Sequence, residues 1–146
     1  MSELVWDETN PVHVKALAAL RRELVGWVST VDRAGAPRSV PVWFFWEDGE
    51  VVIITRPDTA KVKHLRAGSA AQFHLNAGGP FGDDVVILSG DAELREGGTA
   101  AWMAPRREAD EAKYREAIAD YGMPLDDIVE SFSALIVLRP TKLLAW

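Results

Sequence analysis

The side chains able to do chemistry gather in one short run. In "VVIITRPDTAKVKHLR", residues 51–66, an apolar stretch from Val51 to Ile54 runs directly into Thr55, Arg56, Thr59, Lys61, Lys63, His64 and Arg66. Hydroxyls and cations placed behind a buried strand suit an anion. A phosphate is held by backbone N–H groups at a helix start, a hydroxyl and one or two fixed cations, and this run supplies all of them. Asp58 or Thr59 can also cap a helix beginning near Ala60, so capping competes with phosphate contact as the role of Thr59. Lys61 falls in the first turn of that helix, where the helix dipole disfavours a cation, and an anionic ligand would relieve the mismatch. Lys63, His64 and Arg66 read first as a solvated helix face.

Other reactive arrangements are missing. His13, His64 and His74 fall in separate stretches without ligand spacing, and there is no HExxH motif or accompanying carboxylate cluster, so no metal is expected. Ser29, Ser39 and Ser89 lack a Gly-x-Ser-x-Gly elbow. The "GGPFGDD" stretch carries neither the P-loop Lys-Ser/Thr nor a dinucleotide fingerprint and reads as a hairpin connection. The chain has no cysteine, which removes disulfides and thiolate metal sites. A formal net charge of −6 argues against generic duplex nucleic-acid binding, whose affinity comes from neutralising phosphates.

These residues must be positioned by a chain of 146 residues, read as one domain over 1–146. A chain of this length buries roughly 70% of its unfolded surface without staples. The start, "MSELVWDETNPVHVK", has no basic segment leading into an apolar one, and no run approaches the length needed to span a bilayer. A soluble, cytoplasmic protein is expected.

Periodicity supplies the elements. "NPVHVKALAALRREL" predicts an amphipathic helix with Pro11 at its first position after Asn10, and with Val14, Leu17, Ala18, Leu24 and Val25 on one face. "GWVSTVDRAGAPRSVPVWFFWEDGEVVIIT" reads as three strands separated by the turns "DRAGAP" and "EDGE". A short helix near Ala60 to Ala67 follows, stopped by Gly68. In "AAQFHLNA", Phe73 and Leu75 oppose Gln72, His74 and Asn76, the pattern of a half-solvated strand. "VVILSGDAELRE" is a long strand, helix is expected from about Arg107 to Tyr121 and again around Asp126 to Ser131, and "ALIVLRPTKLLAW" closes the chain as a sixth strand bent at Pro140. The order predicts a mostly β fold, a six-stranded antiparallel barrel with flanking helices.

One strand is apolar on both sides. In "RSVPVWFFW", Val40, Val42, Phe44 and Trp46 share one face while Pro41, Trp43 and Phe45 share the other. One face fills the barrel; the second needs the chain's own helices, a partner subunit or a flat cofactor.

The segment "STVDRAGAPRSVPVWFFWEDGEVVIITRPDTAKVKHLRAG" and the later "VVILSGDAELRE", with its Gly-x-Ala, resemble the pyridoxamine-phosphate-oxidase-like split β-barrels. The resemblance is to their actinobacterial flavin/deazaflavin oxidoreductase branch, which binds coenzyme F420. It extends over about residues 14 to 95 and loosely over the closing strand. It implies a homodimer with cofactor at the subunit interface, Val40, Pro41, Val42 and Trp43 along the ring and ribityl chain, and Thr55, Arg56, Thr59 and Lys61 at the phosphate. Thr59 departs from the Ser or Arg common in relatives; it keeps a donor but not a charge. The implied activity is hydride transfer between F420 and a small electron-poor acceptor. FMN as the cofactor, or a non-catalytic carrier of flavin, haem or tetrapyrrole on the same barrel, are the alternatives. Arg56, Lys63, His64 and Arg66 form a basic edge that could meet the carboxylates of the F420 tail.

Overall fold

Seven strands form one antiparallel sheet in the computed structural model, which describes residues 3–146. They are β1 (Val25–Val31), β2 (Pro37–Trp43), β3 (Phe45–Glu47), β4 (Glu50–Thr55), β5 (Ala71–Leu75), β6 (Val86–Arg95) and β7 (Ala134–Ala145), in the spatial order β2-β1-β5-β6-β7-β4-β3. The two outermost strands, β2 and β3, are consecutive in the chain and joined by Phe44 alone. Two Cα steps span at most about 7.6 Å, so the sheet must curl until its edges meet. The result is the expected split β-barrel with flanking helices.

The expected count of six strands is corrected to seven, because the strand through "RSVPVWFFW" breaks at Phe44. β2 follows β1, whereas β3 pairs with β4 through Phe45↔Val52 and Trp46↔Val51. Phe44 is fully buried at the switch, outside both ladders, and its backbone polar groups need other partners. Its N–H donates to the Tyr114 hydroxyl at 3.0 Å, and that hydroxyl lies against the carbonyls of Phe44 and of Leu24, 2.7 Å from the latter.

Helix α1 (Pro11–Arg22) starts as predicted: Pro11 takes the first position and the Asn10 side chain accepts from the Val12 N–H at 2.9 Å. Its buried face differs from the expected one. Ala16, Leu17 and Leu20 are buried, Val14 and Ala18 are exposed, and Leu24 and Val25 lie beyond the helix end. Only Leu17 belongs to both sets, because the helix stops before the two apolar residues that defined the predicted stripe. α2 (Ala60–Arg66) follows β4 and is ended by Gly68 at φ 92°, a conformation glycine adopts without strain.

Between β6 and β7 the chain makes a helical excursion: α3 (Thr99–Met103), a single 3₁₀ turn, α4 (Arg107–Lys113), α5 (Arg115–Tyr121) and α6 (Leu125–Ser131). The helix expected over Arg107 to Tyr121 is broken at Tyr114, whose φ of −105° and ψ of 16° leave the helical region. α3 was not expected; glycines before it and Pro105 after it mask a five-residue helix.

Two cores result. Val28, Phe44, Ile53, Phe73, Leu88 and Ile136 pack inside the barrel, with Phe44 and Phe73 ring centroids 4.8 Å apart. Gly26 faces the Phe73 ring, which a Cβ would approach to 2.2 Å, so only glycine admits this packing. Phe45, Val52, Ile54, Met103, Tyr114 and Ile128 pack between the sheet and the excursion. The second face of "VPVWFFW" is thus covered by the chain's own helices at Trp43 and Phe45, and only Pro41 stays exposed. Next to Pro140, where a bend was expected, β7 carries a register irregularity: Ser89 pairs with Lys142 and Gly90 with Pro140, so Thr141 is skipped. No helix among the described residues is long and apolar enough to cross a membrane.

One carboxyl in the excursion is out of balance. Arg106 donates to Glu47 at 2.6 Å and lies over the Trp102 ring, while the half-buried Asp110 keeps one carboxylate oxygen enclosed without a partner. Burial, with the Glu47 charge beside it, pushes the Asp110 carboxyl up to about 6.

Two outcomes follow from this packing. Tyr114→Phe keeps the ring but strips Phe44 of its partner; leaving a buried polar group unpaired costs about 1–3 kcal/mol, which should appear as a lower urea midpoint at unchanged slope. A midpoint equal to that of the parent protein would show that water replaces the hydroxyl. Asp110 holds its proton more tightly in the folded than in the unfolded state, so stability falls as pH rises through about 6. Because the group is only half-buried, solvent screening limits the effect to on the order of 1 kcal/mol. The stability of Asp110→Asn relative to the parent should therefore increase between about pH 4.5 and about pH 7.5. A pH-independent difference would contradict the assigned titration.

Candidate functional site

The switch from β2 to β3 leaves a cavity of about 340 Å³ beside the end of β4 and the start of α2, roofed by α5 and α6. The strands contribute Val25, Pro41, Val42, Trp43, Ile54 and Thr55; α2 contributes Lys61; the excursion contributes Tyr121, Ile128 and Phe132. Pro41 sits on an edge strand, where a residue without an N–H costs no ladder bond on the open side. Trp43 stacks on Tyr114 with centroids 5.1 Å apart and planes 21° from parallel. Since the Tyr114 hydroxyl is pinned to Phe44, the indole plane is set by the same contact that closes the barrel.

One part of the cavity is polar. Thr55 is buried at the end of β4, its hydroxyl 3.5 Å from that of Thr59, which itself donates to the Arg56 carbonyl at 3.0 Å. Thr59 occupies the cap position of α2, but its side chain makes no capping bond. Lys61 is half-buried, and desolvation alone pushes its ammonium below the usual lysine range; no carboxylate offsets the shift. The remainder of the wall is apolar, with Trp43, Tyr121 and Phe132 as its aromatic members.

Five of the eight residues expected from sequence meet here: Pro41, Val42, Trp43, Thr55 and Lys61. Val40, Arg56 and Thr59 do not line the cavity. Val40 pairs with Val28 farther along the edge, Thr59 stands behind Thr55, and the Arg56 guanidinium lies over the Phe132 ring at 5.2 Å. The sequence reading missed Val25, Ile54, Tyr121, Ile128 and Phe132. Val25 could have been found, because it is the register partner of Trp43 in the β1–β2 hairpin. The three helical residues carry no local signal that they return to this place.

The basic edge is largely occupied. The Thr30 hydroxyl and His64 Nδ1 lie 2.8 Å apart, and Arg66 is paired with Glu96, which raises the Arg66 pKa further. Lys63 is exposed. The other histidines are also engaged: His13 accepts from the Asp7 N–H at 3.0 Å, and His74 contacts the Leu75 carbonyl and stacks on Trp27. Among the described residues no group of three His, Cys, Asp or Glu side chains is placed to hold a metal.

A hydroxyl and an uncompensated ammonium at one part of an otherwise apolar, aromatic cavity suit a flat ligand with an anionic group. A sequence profile described as pyridoxamine 5'-phosphate oxidase matches residues 13–146. No match was found among curated proteins. Solved structures are similar in fold: one described as an F420 reductase has a TM-score of 0.62 at 21% identity, covering 87% of this chain and 94% of its own. A FAD-binding protein from Mesorhizobium loti has a TM-score of 0.64 at 13% identity, covering 89% of this chain and 90% of its own. General stress protein 26 from Bacillus anthracis has a TM-score of 0.61 at 18% identity, covering 91% and 97%. With residues 13–146 matched, the chain belongs to the pyridoxamine 5'-phosphate oxidase family, and its split-barrel fold agrees with that of these solved structures.

Proposed function

We propose that the cavity holds coenzyme F420 and that the chain is an F420-dependent oxidoreductase acting on a small electron-poor organic acceptor, working as a homodimer. The observation that carries the reading is Lys61: a half-buried ammonium without a carboxylate partner, close to the buried hydroxyl of Thr55 in a cavity walled by Trp43. A buried cation requires a counter-charge, and a phosphate supplies one. In this reading Lys61 and Thr55 hold the phosphate, with the Thr59 hydroxyl beside that of Thr55, and Pro41, Val42 and Trp43 border the ring and ribityl chain. When bound, a reduced deazaflavin supplies a hydride to the acceptor. The protein supplies the fixed indole, the apolar walls that exclude water and the anchoring charge, and solvent can return the proton. Similarity to an F420 reductase supports the choice of deazaflavin.

FMN is the second reading, and it too has a specific observation behind it. His64, Arg66 and Arg56, three of the four cations counted toward a polyanionic tail, are engaged with Thr30, Glu96 and Phe132. The proposed homodimer draws on the outer face of the sheet. Cross-strand pairing aligns Pro41, Trp27, His74, Ile87 and Leu144 in one row across five strands, none of them buried. Beside it runs a polar row, Ser39, Ser29, Gln72, Ser89 and Lys142. A sheet face with Trp27 and Leu144 on it and no covering layer fits a second copy of itself.

Titration of the purified protein with F420 and with FMN over a range of salt tests the cofactor. F420 should bind more tightly, with affinity falling more steeply with salt than that of FMN, and Lys61→Ala should weaken both about ten- to hundredfold without loss of fold. Tighter FMN binding at every ionic strength would transfer the assignment to FMN. Sedimentation should give a dimer at micromolar concentration, burying on the order of 1,600 Å² in total or more, and Trp27→Lys should dissociate it. A compact monomer in the parent protein would remove the proposed interface.

A further inference from the structure

The chain carries five lysines, and their surroundings set one of them apart. Lys15 is paired with Asp84 at 2.7 Å, and Lys63 and Lys142 are exposed to water. Lys113 is half-buried, but its ammonium lies over the Phe44 and Tyr114 rings at 5.0 and 5.4 Å, and the Asp110 charge acts on it. Rings and carboxylate both favour its charged form. Lys61 has none of these compensations. It is half-buried and lines the cavity, and among the described residues no carboxylate pairs with it.

A phosphate would use Lys61 as a charge, but a lysine held partly out of water has a second chemistry. Desolvation pushes its ammonium below the usual lysine range, so a larger share of this amine is neutral than in an exposed lysine. Only the neutral amine has a lone pair to give, and withdrawal into an apolar pocket is one way a lysine becomes a nucleophile toward a carbonyl carbon. The walls name the carbonyl compound. Val42, Trp43, Ile54 and Phe132 line the same cavity of about 340 Å³, within the size of small-molecule sites, and no carboxylate is among the lining residues. The Trp43 indole is held in place by its stacking on Tyr114. An aromatic aldehyde exchanges water for these walls with a gain that a small hydrophilic aldehyde lacks.

We infer that Lys61 is a carbonyl-capture site: when no anion is bound, its amine condenses with a flat aromatic aldehyde to give an imine seated in the cavity beside Trp43. The nitrogen lone pair attacks the carbonyl carbon, the C=O bond is replaced by C=N, and the oxygen leaves as water with the two amine protons. No oxidant or reductant is consumed, and water reverses the step. An anion bound at Lys61 holds the nitrogen as ammonium and blocks capture. The inference goes beyond the cofactor reading, because it uses the neutral amine where that reading uses the charge.

The test is 2-naphthaldehyde with sodium cyanoborohydride, which fixes an imine as a secondary amine; the labelled lysines are located and timed by peptide mass spectrometry. At pH 7 Lys61 should label about tenfold faster than Lys63 or Lys142, and the advantage should vanish in the urea-unfolded chain. Trp43→Leu should slow the labelling of Lys61 and leave that of Lys63 and Lys142 unchanged. Equal rates at the three lysines in the folded parent protein overturn the site, as does an advantage of Lys61 that survives in urea or is unchanged in Trp43→Leu. FMN and F420 are added in parallel arms. Protection of Lys61 by either supports both readings, whereas fast labelling undiminished by either removes the phosphate from Lys61 and leaves the capture site standing.

Discussion

The contact between the Tyr114 hydroxyl and the backbone of Phe44 is the constraint from which the rest of the architecture descends. A sheet whose two edges are joined by a single residue has to break its hydrogen-bond ladder at that residue. Phe44 is fully buried, so water cannot take over there. One hydroxyl has the capacity required: it accepts from the Phe44 N–H and has one proton to give to the carbonyl of Phe44 or of Leu24. Three stretches of chain are thereby tied at one oxygen. Val25 follows Leu24, Trp43 precedes Phe44, and α5 starts immediately after Tyr114; each leads into the wall of the cavity. The site lies at the seam because the seam is where strands stop pairing and leave room.

Electrostatics gives the site its polarity. On an acidic chain many cations find carboxylates, as Arg66, Arg106 and Arg139 do with Glu96, Glu47 and Glu93. Lys61 is treated differently: it is drawn partly out of water with no opposing charge, an arrangement that is unfavourable until an anion arrives. The Asp110 carboxyl, also raised by burial, lies one helical turn from Tyr114, so its titration falls on the element that carries the anchor of the excursion.

Much of this was legible in the sequence because it is local. Strand alternation placed Phe73 and Leu75 inward, Asn10 and Pro11 marked a helix start, Gly68 marked an end, and the run from Thr55 to Lys61 contributes its first and last members to the cavity. What failed was non-local. The break at Phe44 cannot be read from "VPVWFFW", whose alternation continues through it; the cause is a tyrosine far along the chain. The same holds for the site. The resemblance gives Arg56 to the phosphate, while its guanidinium lies over the Phe132 ring outside the cavity lining, and Tyr121, Ile128 and Phe132 reach the cavity only once the excursion has folded over it. The buried face of α1 was mistaken for a simpler reason: apolar residues beyond the helix end were counted as part of its stripe.

The separation of Phe44 and Tyr114 by 70 positions has a consequence for how the molecule forms. β1 and β2, or β3 and β4, pair through short connections and can assemble early. The join between those two groups has no ladder of its own and waits for a side chain that arrives after β6, α3, the 3₁₀ turn and α4. Long-range closures of this kind carry a loop-entropy cost before they return any stabilisation, which slows them. A growing chain that has emerged only through β5 holds these groups of strands unjoined, because β4 reaches the rest of the sheet only through β7 and β6. Barrel closure and the creation of the cavity therefore both depend on the last part of the chain, which carries the closing strand β7 and the wall residues Ile128 and Phe132.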